Sequence, residues 1–227
     1  MKKSLLMVAA IAALALAALP AVASAYSVDT PENSEFTVSG EETKLTTPEQ
    51  TVTCASVEGE GEYTSSTTGT VQLLFKGCKA ASTNCTSSGQ SGGNIETTPL
   101  TFHIGTAYET NPTTPSGPAI VITPHEGHFA TFSCVFGLVE IEVRGKEGAE
   151  GIVGTITAPG VGEASNTSTL TFETDENNEQ VHMDADIGNG IETFTLVAYV
   201  NGTPEPAGQD GTGTTSFVNE GEGTLTE

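Results

Sequence analysis

The chain has 227 residues, of which 29 are Asp or Glu and seven are Lys or Arg, so its formal net charge is −22 at pH 7. Binding to nucleic acid without regard to base sequence needs Lys and Arg to neutralise phosphates, and this composition excludes it. The same charge opposes adsorption to anionic lipid and is typical of a soluble protein that attracts cations.

The first 25 residues have the pattern of a secretory signal peptide. Two lysines precede an unbroken apolar run over residues 5–19, Pro20 ends that run, and Ala23-Ser24-Ala25 places small residues at a cleavage site. The run is shorter than the ~20 apolar residues that span a bilayer. We therefore predict cleavage after Ala25 and secretion of a mature chain that is not held in a membrane. Retention at the cell wall stays open. Removal of the two leader lysines leaves five Lys or Arg against 29 Asp or Glu, a net charge of −24.

The mature chain is predicted to form one domain. Residues 26–35 and 201–213 contain Pro, Gly and acids without an apolar pattern, so we expect a flexible acidic arm at 26–35 and a flexible segment at 201–213. Residues 36–218 are predicted to be a single all-β domain, and residues 219–227 a flexible tail.

Outside these flexible segments, apolar residues of the mature chain recur with a period of two rather than 3.6. Val, Ile, Thr and Phe are common in these segments, and clusters of Gly, Pro, Asn and Ser separate them. The predicted strands are 36–39, 50–56, 70–76, 100–106, 119–123, 129–135, 138–143, 152–157, 169–173, 181–186, 193–200 and 214–218. The segment 139–143 alternates apolar residues with glutamates, which indicates one wet face, whereas 119–122 is apolar throughout and is expected to be buried on both faces.

Many short strands with no helix to cross over predict antiparallel pairing. We therefore expect an antiparallel β-sandwich or a partly open β-barrel, cross-linked by disulfides.

All four cysteines lie in the mature part. An even number in an exported chain predicts two disulfides among Cys54, Cys78, Cys85 and Cys134. Cys54 and Cys134 are in predicted strands, and Cys78 and Cys85 flank a short polar loop, which favours Cys54–Cys134 with Cys78–Cys85. The alternative, Cys54–Cys78 with Cys85–Cys134, is nearly as well supported.

Two clusters suggest metal chemistry. Asp184 and Asp186 share one face of a predicted strand as residues i and i+2, and Asp175 and Glu176 precede them, so these four carboxylates are candidate ligands for calcium. The spacing departs from an EF-hand loop, because Gly188 occupies the fifth position. No other cofactor is predicted.

The segment His125-Glu126-Gly127-His128 is one residue short of the zinc-protease motif, whose histidines lie four apart on a helix. It follows Pro124, so a hairpin turn is expected. A hydrolase that uses His125 or His128 is a further alternative, and His103 and His182 are the histidines that would join them at a metal.

The cysteine pattern resembles that of a family of secreted, uncharacterised actinobacterial proteins. The resemblance covers about residues 50–154 and is carried by Phe75-Lys76-Gly77-Cys78, Cys85-Thr86-Ser87-Ser88-Gly89, Gly93-x-Ile95, Phe132-Ser133-Cys134 and Val143-Arg144-Gly145. It implies secretion and a β-rich domain, and it brings no activity and no site residue.

The sequence predicts a secreted or wall-associated β-domain that is not an enzyme and has a structural or surface-interaction role. A calcium- or glycan-binding extracellular module is the first alternative. The absence of Trp weakens the case for a glycan platform. We expect a monomer whose partner is a cell-wall component or another extracellular ligand.

Overall fold

The structure is a computed structural model that describes residues 26–31, 33–109, 114–148, 150–218 and 221–227. The predicted signal peptide lies outside these residues. Within them the chain forms 22 strands and one short 3-10 helix, Val135–Gly137. None of the helical structure in this part of the chain is long and apolar enough to cross a membrane. The predicted all-β, antiparallel, disulfide-bonded fold is confirmed.

The strands in chain order are β1 Ser27–Asp29, β2 Ser34–Gly40, β3 Thr43–Thr46, β4 Thr51–Cys54, β5 Ser56–Tyr63, β6 Thr68–Lys76, β7 Lys79–Ala80, β8 Thr83–Asn84, β9 Thr86–Ser87, β10 Ile95–Glu96, β11 Leu100–Tyr108, β12 Pro115–Pro124, β13 Ala130–Cys134, β14 Val139–Gly145, β15 Ile152–Thr157, β16 Ala164–Ser165, β17 Thr167–Phe172, β18 Asp184–Asp186, β19 Ile191–Thr193, β20 Leu196–Val200, β21 Thr203–Phe217 and β22 Gly223–Thr226.

Eight of these strands close into an antiparallel barrel. The ring runs β2–β5–β6–β11–β12–β15–β17–β21 and returns to β2. Closure depends on β21, whose C-terminal half pairs with β17 on one side and with β2 on the other. The barrel is therefore closed rather than partly open. Closure also removes the unpaired edges that an open sheet would expose.

Other strands cover the two ends of the ring. At the end where β5 starts and β6 stops, an outer sheet runs β9–β13–β14–β20, continues through the N-terminal half of β21, and ends with β3–β4–β7–β8. At the other end, β22 pairs with β1 and β16 in a three-stranded sheet. Val28 of β1 and Leu225 of β22 are buried against the barrel core.

The strand β12 is buried on both faces, as its uninterrupted apolar sequence predicted. Ile120 and Ile122 point into the barrel core. Ala119 and Val121 point outward into a second, smaller cluster, where Phe194 and Ala185 cover them. Ala185 lies on β18, which pairs with the end of β11, and Phe194 directly follows β19, the partner of β18.

The disulfides join Cys54 to Cys78 and Cys85 to Cys134, and no described cysteine is free. The pairing favoured from the sequence was wrong, and the alternative is the one observed. The register explains why. Thr53 pairs with Lys79, so Cys54 and Cys78 are the next residues along that ladder. Ser133 pairs with Thr86, so Cys134 and Cys85 follow in the same way.

The predicted flexible arms differ from the structure. Residues 27–29 form β1, residues 223–226 form β22, and most of 201–213 belongs to β21. Pro204 and Pro206 had suggested an irregular segment, but they pair with Tyr199 and Val197 of β20. Proline is tolerated in a strand where its missing N–H faces an unpaired side. The pairing of β21 with β3 starts only at Gly208, so at both prolines the second side of β21 has no strand partner among the described residues.

Candidate functional site

The predicted calcium ligands lie in turns that already use their carboxylates. Asp184 accepts a hydrogen bond from the Thr193 hydroxyl at 2.5 Å. Asp186 accepts the backbone N–H groups of Gly188 at 2.8 Å and Gly190 at 3.1 Å. The two aspartates lie on the same face of β18, as predicted, with buried Ala185 between them.

Asp175 and Glu176 lie in the turn that follows β17. The Asp175 carboxylate accepts the N–H groups of Asn177 at 2.8 Å and Glu179 at 3.0 Å, and these bonds hold its pKa below the usual range, the Glu179 bond first. Glu176 is exposed. Among the described residues, no three His, Cys, Asp or Glu side chains converge at metal-binding distance. The calcium site stays a prediction from sequence.

The histidines of the zinc-like motif lie in a turn between β12 and β13. These two strands pair with other partners and not with each other, so the predicted hairpin was wrong. His125 is exposed, and its backbone N–H donates a hydrogen bond to the Pro99 carbonyl at 3.2 Å. The Thr98 hydroxyl donates to the His128 carbonyl at 2.7 Å. His103 lies on β11, where burial lowers its pKa, and His182 precedes β18.

A surface patch on β14 and β20 holds Tyr199, a partly buried ring that could in principle stack on a sugar. The Arg144 guanidinium covers the Tyr199 ring at 5.0 Å from its centroid and binds the Glu142 carboxylate at 2.7 Å. The ring face is therefore occupied by the protein's own side chain. This arrangement gives no support to the glycan alternative.

The interior of the barrel contains an apolar cavity of about 180 Å³. Its wall is built from inward-facing residues of all eight barrel strands, together with residues from the sheets at the two ends. Representative wall residues are Val71, Leu73, Phe102, Ile120, Ile156 and Leu170. Eight-stranded barrels have an interior that is either filled by side chains or open to one small ligand.

None of the described residues that line the cavity is Asp, Glu, Lys, Arg or His. Several polar groups in the wall already have hydrogen-bond partners in the protein. The Thr97 hydroxyl accepts the Leu73 N–H at 3.0 Å, and the hydroxyls of Ser168 and Thr215 are 2.7 Å apart. The described wall of the cavity therefore holds no carboxylate, amine, guanidinium or imidazole group.

Four aromatic rings gather at the end of the cavity near β1 and β22. Tyr63 lies 5.3 Å from Phe36, 5.1 Å from Phe102 and 5.7 Å from Phe217, measured between ring centroids. Phe36 and Phe102 also meet edge to face at 5.7 Å. Tilted and edge-to-face contacts at this distance are the favoured arrangements of aromatic pairs.

Glycines opposite these rings make the arrangement possible. Gly61 is the cross-strand partner of Phe36, and Gly69 is the partner of both Tyr63 and Phe102. A Cβ at Gly61 would overlap the Phe36 ring, and one at Gly69 would overlap the Phe102 ring. The glycines therefore leave room inside the barrel for large rings.

Burial raises the pKa of Tyr63 to about 12. Its side chain is inside the barrel but keeps some accessible surface. No described residue forms a hydrogen bond with its hydroxyl.

Sequence reasoning missed Tyr63, Gly61 and the strand that carries them. The segment Glu58-Gly59-Glu60-Gly61-Glu62 lacks the apolar residues that mark a strand, and the predicted strands therefore do not include it. The signal that could have revealed this strand is the alternation of Glu and Gly. Along β5 the glutamates point towards water and the glycines point into the barrel.

No protein-family model matches this chain, and neither a curated protein nor a solved structure is significantly similar to it.

Proposed function

We propose that this protein is an exported, non-enzymatic binding protein that holds one small apolar molecule inside its β-barrel. The observation that carries the proposal is the cavity of about 180 Å³ inside the barrel, with an apolar, uncharged wall. An apolar cavity of ~150 Å³ stays dry and binds benzene, so a cavity of this size is large enough for a single-ring molecule.

Binding rather than catalysis is proposed because of the chemistry of the wall. General acid–base or metal-assisted reactions need a titratable group or an ion beside the substrate. The described wall offers hydroxyls, the Gln209 amide, disulfide-bonded Cys54 and apolar side chains, and none of these is a carboxylate, an amine or an imidazole.

Export is proposed from the leader pattern together with the two disulfides. Disulfides form and persist in oxidising compartments. Cleavage after Ala25 would leave β1 whole, because this strand starts at Ser27. Sequencing of the protein recovered from culture medium should find Tyr26 at the N-terminus. An N-terminus beyond Val28 would contradict this part of the proposal, since β1 would be lost.

Thermal unfolding with benzene tests the binding function. A ligand that binds only the folded state raises the midpoint temperature in proportion to the logarithm of its concentration over Kd. We expect benzene to raise the midpoint of the wild-type protein and to give a saturable signal in a titration.

The variant Gly213→Leu fills the cavity for comparison. Gly213 lines the cavity, and a Cβ added there meets its nearest neighbour, the Val38 Cγ1 atom, at 3.6 Å, so a longer side chain has space to enter. The matched control is Thr214→Leu, whose side chain lies on the opposite face of β21. Benzene should stabilise wild type and Thr214→Leu but not Gly213→Leu. If benzene stabilised all three proteins equally, or none of them, binding inside the barrel would be refuted.

A further inference from the structure

The wall of the cavity restricts the charge of any ligand. Transfer of an ion from water into a low-dielectric interior is strongly unfavourable unless an opposite charge or several hydrogen bonds compensate it. No charged residue lines the described part of the cavity. The surface charge of −24 on the mature chain would in addition repel anions before they enter.

The polar groups of the wall are not equally available to a ligand. Thr97, Ser168 and Thr215 already use their hydroxyls in the protein. The Oγ1 atom of Thr43 has no partner, but it is sealed even from water. The hydroxyl of Tyr63 has no partner among the described residues, and it keeps accessible surface.

The Tyr63 hydroxyl can act as a hydrogen-bond donor across the physiological range. Burial holds its pKa at about 12, so the phenol stays protonated near neutral pH. Buried Tyr hydroxyls usually find a hydrogen-bond partner. A donor that lines an otherwise apolar cavity without such a partner is suited to an acceptor on the ligand.

We infer that the molecule bound in the barrel is neutral and carries a hydrogen-bond acceptor, such as a carbonyl oxygen, that the Tyr63 hydroxyl binds. The rings of Phe36, Phe102 and Phe217 around Tyr63 would contact the apolar part of the same molecule. This inference rests on the proposed function, since it names the chemical class of ligand for the same cavity.

Two ligands of nearly the same shape test the inference. Acetophenone carries a carbonyl group where α-methylstyrene carries a C=CH2 group, so the pair differs in the acceptor and hardly in volume. Binding of each to wild type and to Tyr63→Phe is measured by calorimetric titration. Tyr199→Phe is the matched control, because this ring lies on the outer surface under Arg144.

We expect Tyr63→Phe to weaken the binding of acetophenone by about three- to tenfold, which corresponds to the loss of one hydrogen bond. The affinity for α-methylstyrene should change by less than about twofold. Tyr199→Phe should change neither. Benzoate, a charged analogue of acetophenone, should not bind where acetophenone saturates the wild-type protein.

The outcomes separate the two proposals. If α-methylstyrene binds but Tyr63→Phe affects both ligands equally or neither, the barrel binds apolar molecules and the role of Tyr63 is refuted. If benzoate binds as tightly as acetophenone, the restriction to neutral ligands is refuted. If neither neutral ligand binds the wild-type protein, the proposed function itself fails, and this inference fails with it.

Discussion

The ring of Tyr63 stacks on the ring of Phe217, with the centroids 5.7 Å apart and an angle of 26° between the planes. Tyr63 ends β5 and Phe217 ends β21, the two strands that flank β2. Gly223 of β22 lies against Phe217 so closely that an added Cβ would be 2.8 Å from the ring. The stack therefore joins the aromatic end of the cavity to the strand that covers it.

Titration of Tyr63 should make stability fall at alkaline pH. Its folded-state pKa, about 12, exceeds the unfolded value of 10.0. Its contribution to the free energy of unfolding is therefore complete below pH 10 and is lost as the pH rises towards 12. At pH 11 the loss relative to pH 8 should be about 1.4 kcal/mol. Chemical denaturation of wild type and Tyr63→Phe at both pH values measures it. A wild-type loss no larger than that of Tyr63→Phe would contradict the buried position.

Gly61→Ala should destabilise the barrel by about 1–3 kcal/mol, because the added methyl group overlaps the Phe36 ring and lies 2.6 Å from the Thr70 carbonyl oxygen. Gly213→Ala is the matched control, since its new Cβ would have no neighbour closer than 3.6 Å. The control should be neutral or slightly stabilising. The two variants are compared by their urea unfolding midpoints, provided that the dependence of the unfolding free energy on urea concentration is unchanged. Equal losses of stability in the two variants would argue against a crowded interior around Gly61.

The disulfide pairing is open to direct chemical test. Digestion without reduction should release one cross-linked peptide with Cys54 and Cys78 and another with Cys85 and Cys134. Replacing either pair by alanine should lower the free energy of unfolding by about 2–5 kcal/mol. The larger loss is expected for Cys85–Cys134, whose sequence separation is 49 rather than 24. A peptide that links Cys54 to Cys134 would contradict the register of the outer sheet.

Calcium should stabilise the protein no more than magnesium at the same ionic strength. No three His, Cys, Asp or Glu side chains converge at metal-binding distance among the described residues, so the turns that hold Asp186 and Asp175 would have to rearrange to form a specific site. Any divalent cation should still give a general rise in the unfolding midpoint by screening the negative surface. A calcium-specific rise of several degrees that Asp184→Asn removes would instead support the calcium site predicted from the sequence.

The sequence predicted the strands whose apolar residues alternate clearly. Residues 152–157 were predicted as a strand and form β15 with the same bounds. The alternation over 139–143 was confirmed on β14, where Ile141 and Val143 are buried and Glu140 is exposed. Such segments are predictable because the side-chain period of two depends only on local backbone geometry.

The candidate site was not predictable in this way. Gly59 and Gly61 carry no side chain, so their inward positions leave no apolar signal, although Gly59 leaves space for Leu73 and Gly61 for Phe36. Thr43 and Tyr63 likewise lie in strands that the sequence pattern did not predict. Their importance comes from neighbours that are far away along the chain, such as Phe217 beside Tyr63.

The sequence was sufficient to indicate that the residues after position 25 form antiparallel β-structure with a strongly acidic composition and two disulfides. Tertiary structure alone decided that the sheet closes, which cysteines pair, and that a cavity remains inside. The alternation of apolar residues shows which residues share one face of a strand. It does not show which other strand pairs with that strand. Closure required β21 to pair with both β2 and β17, and the volume left inside is set by the side chains that this ring brings together.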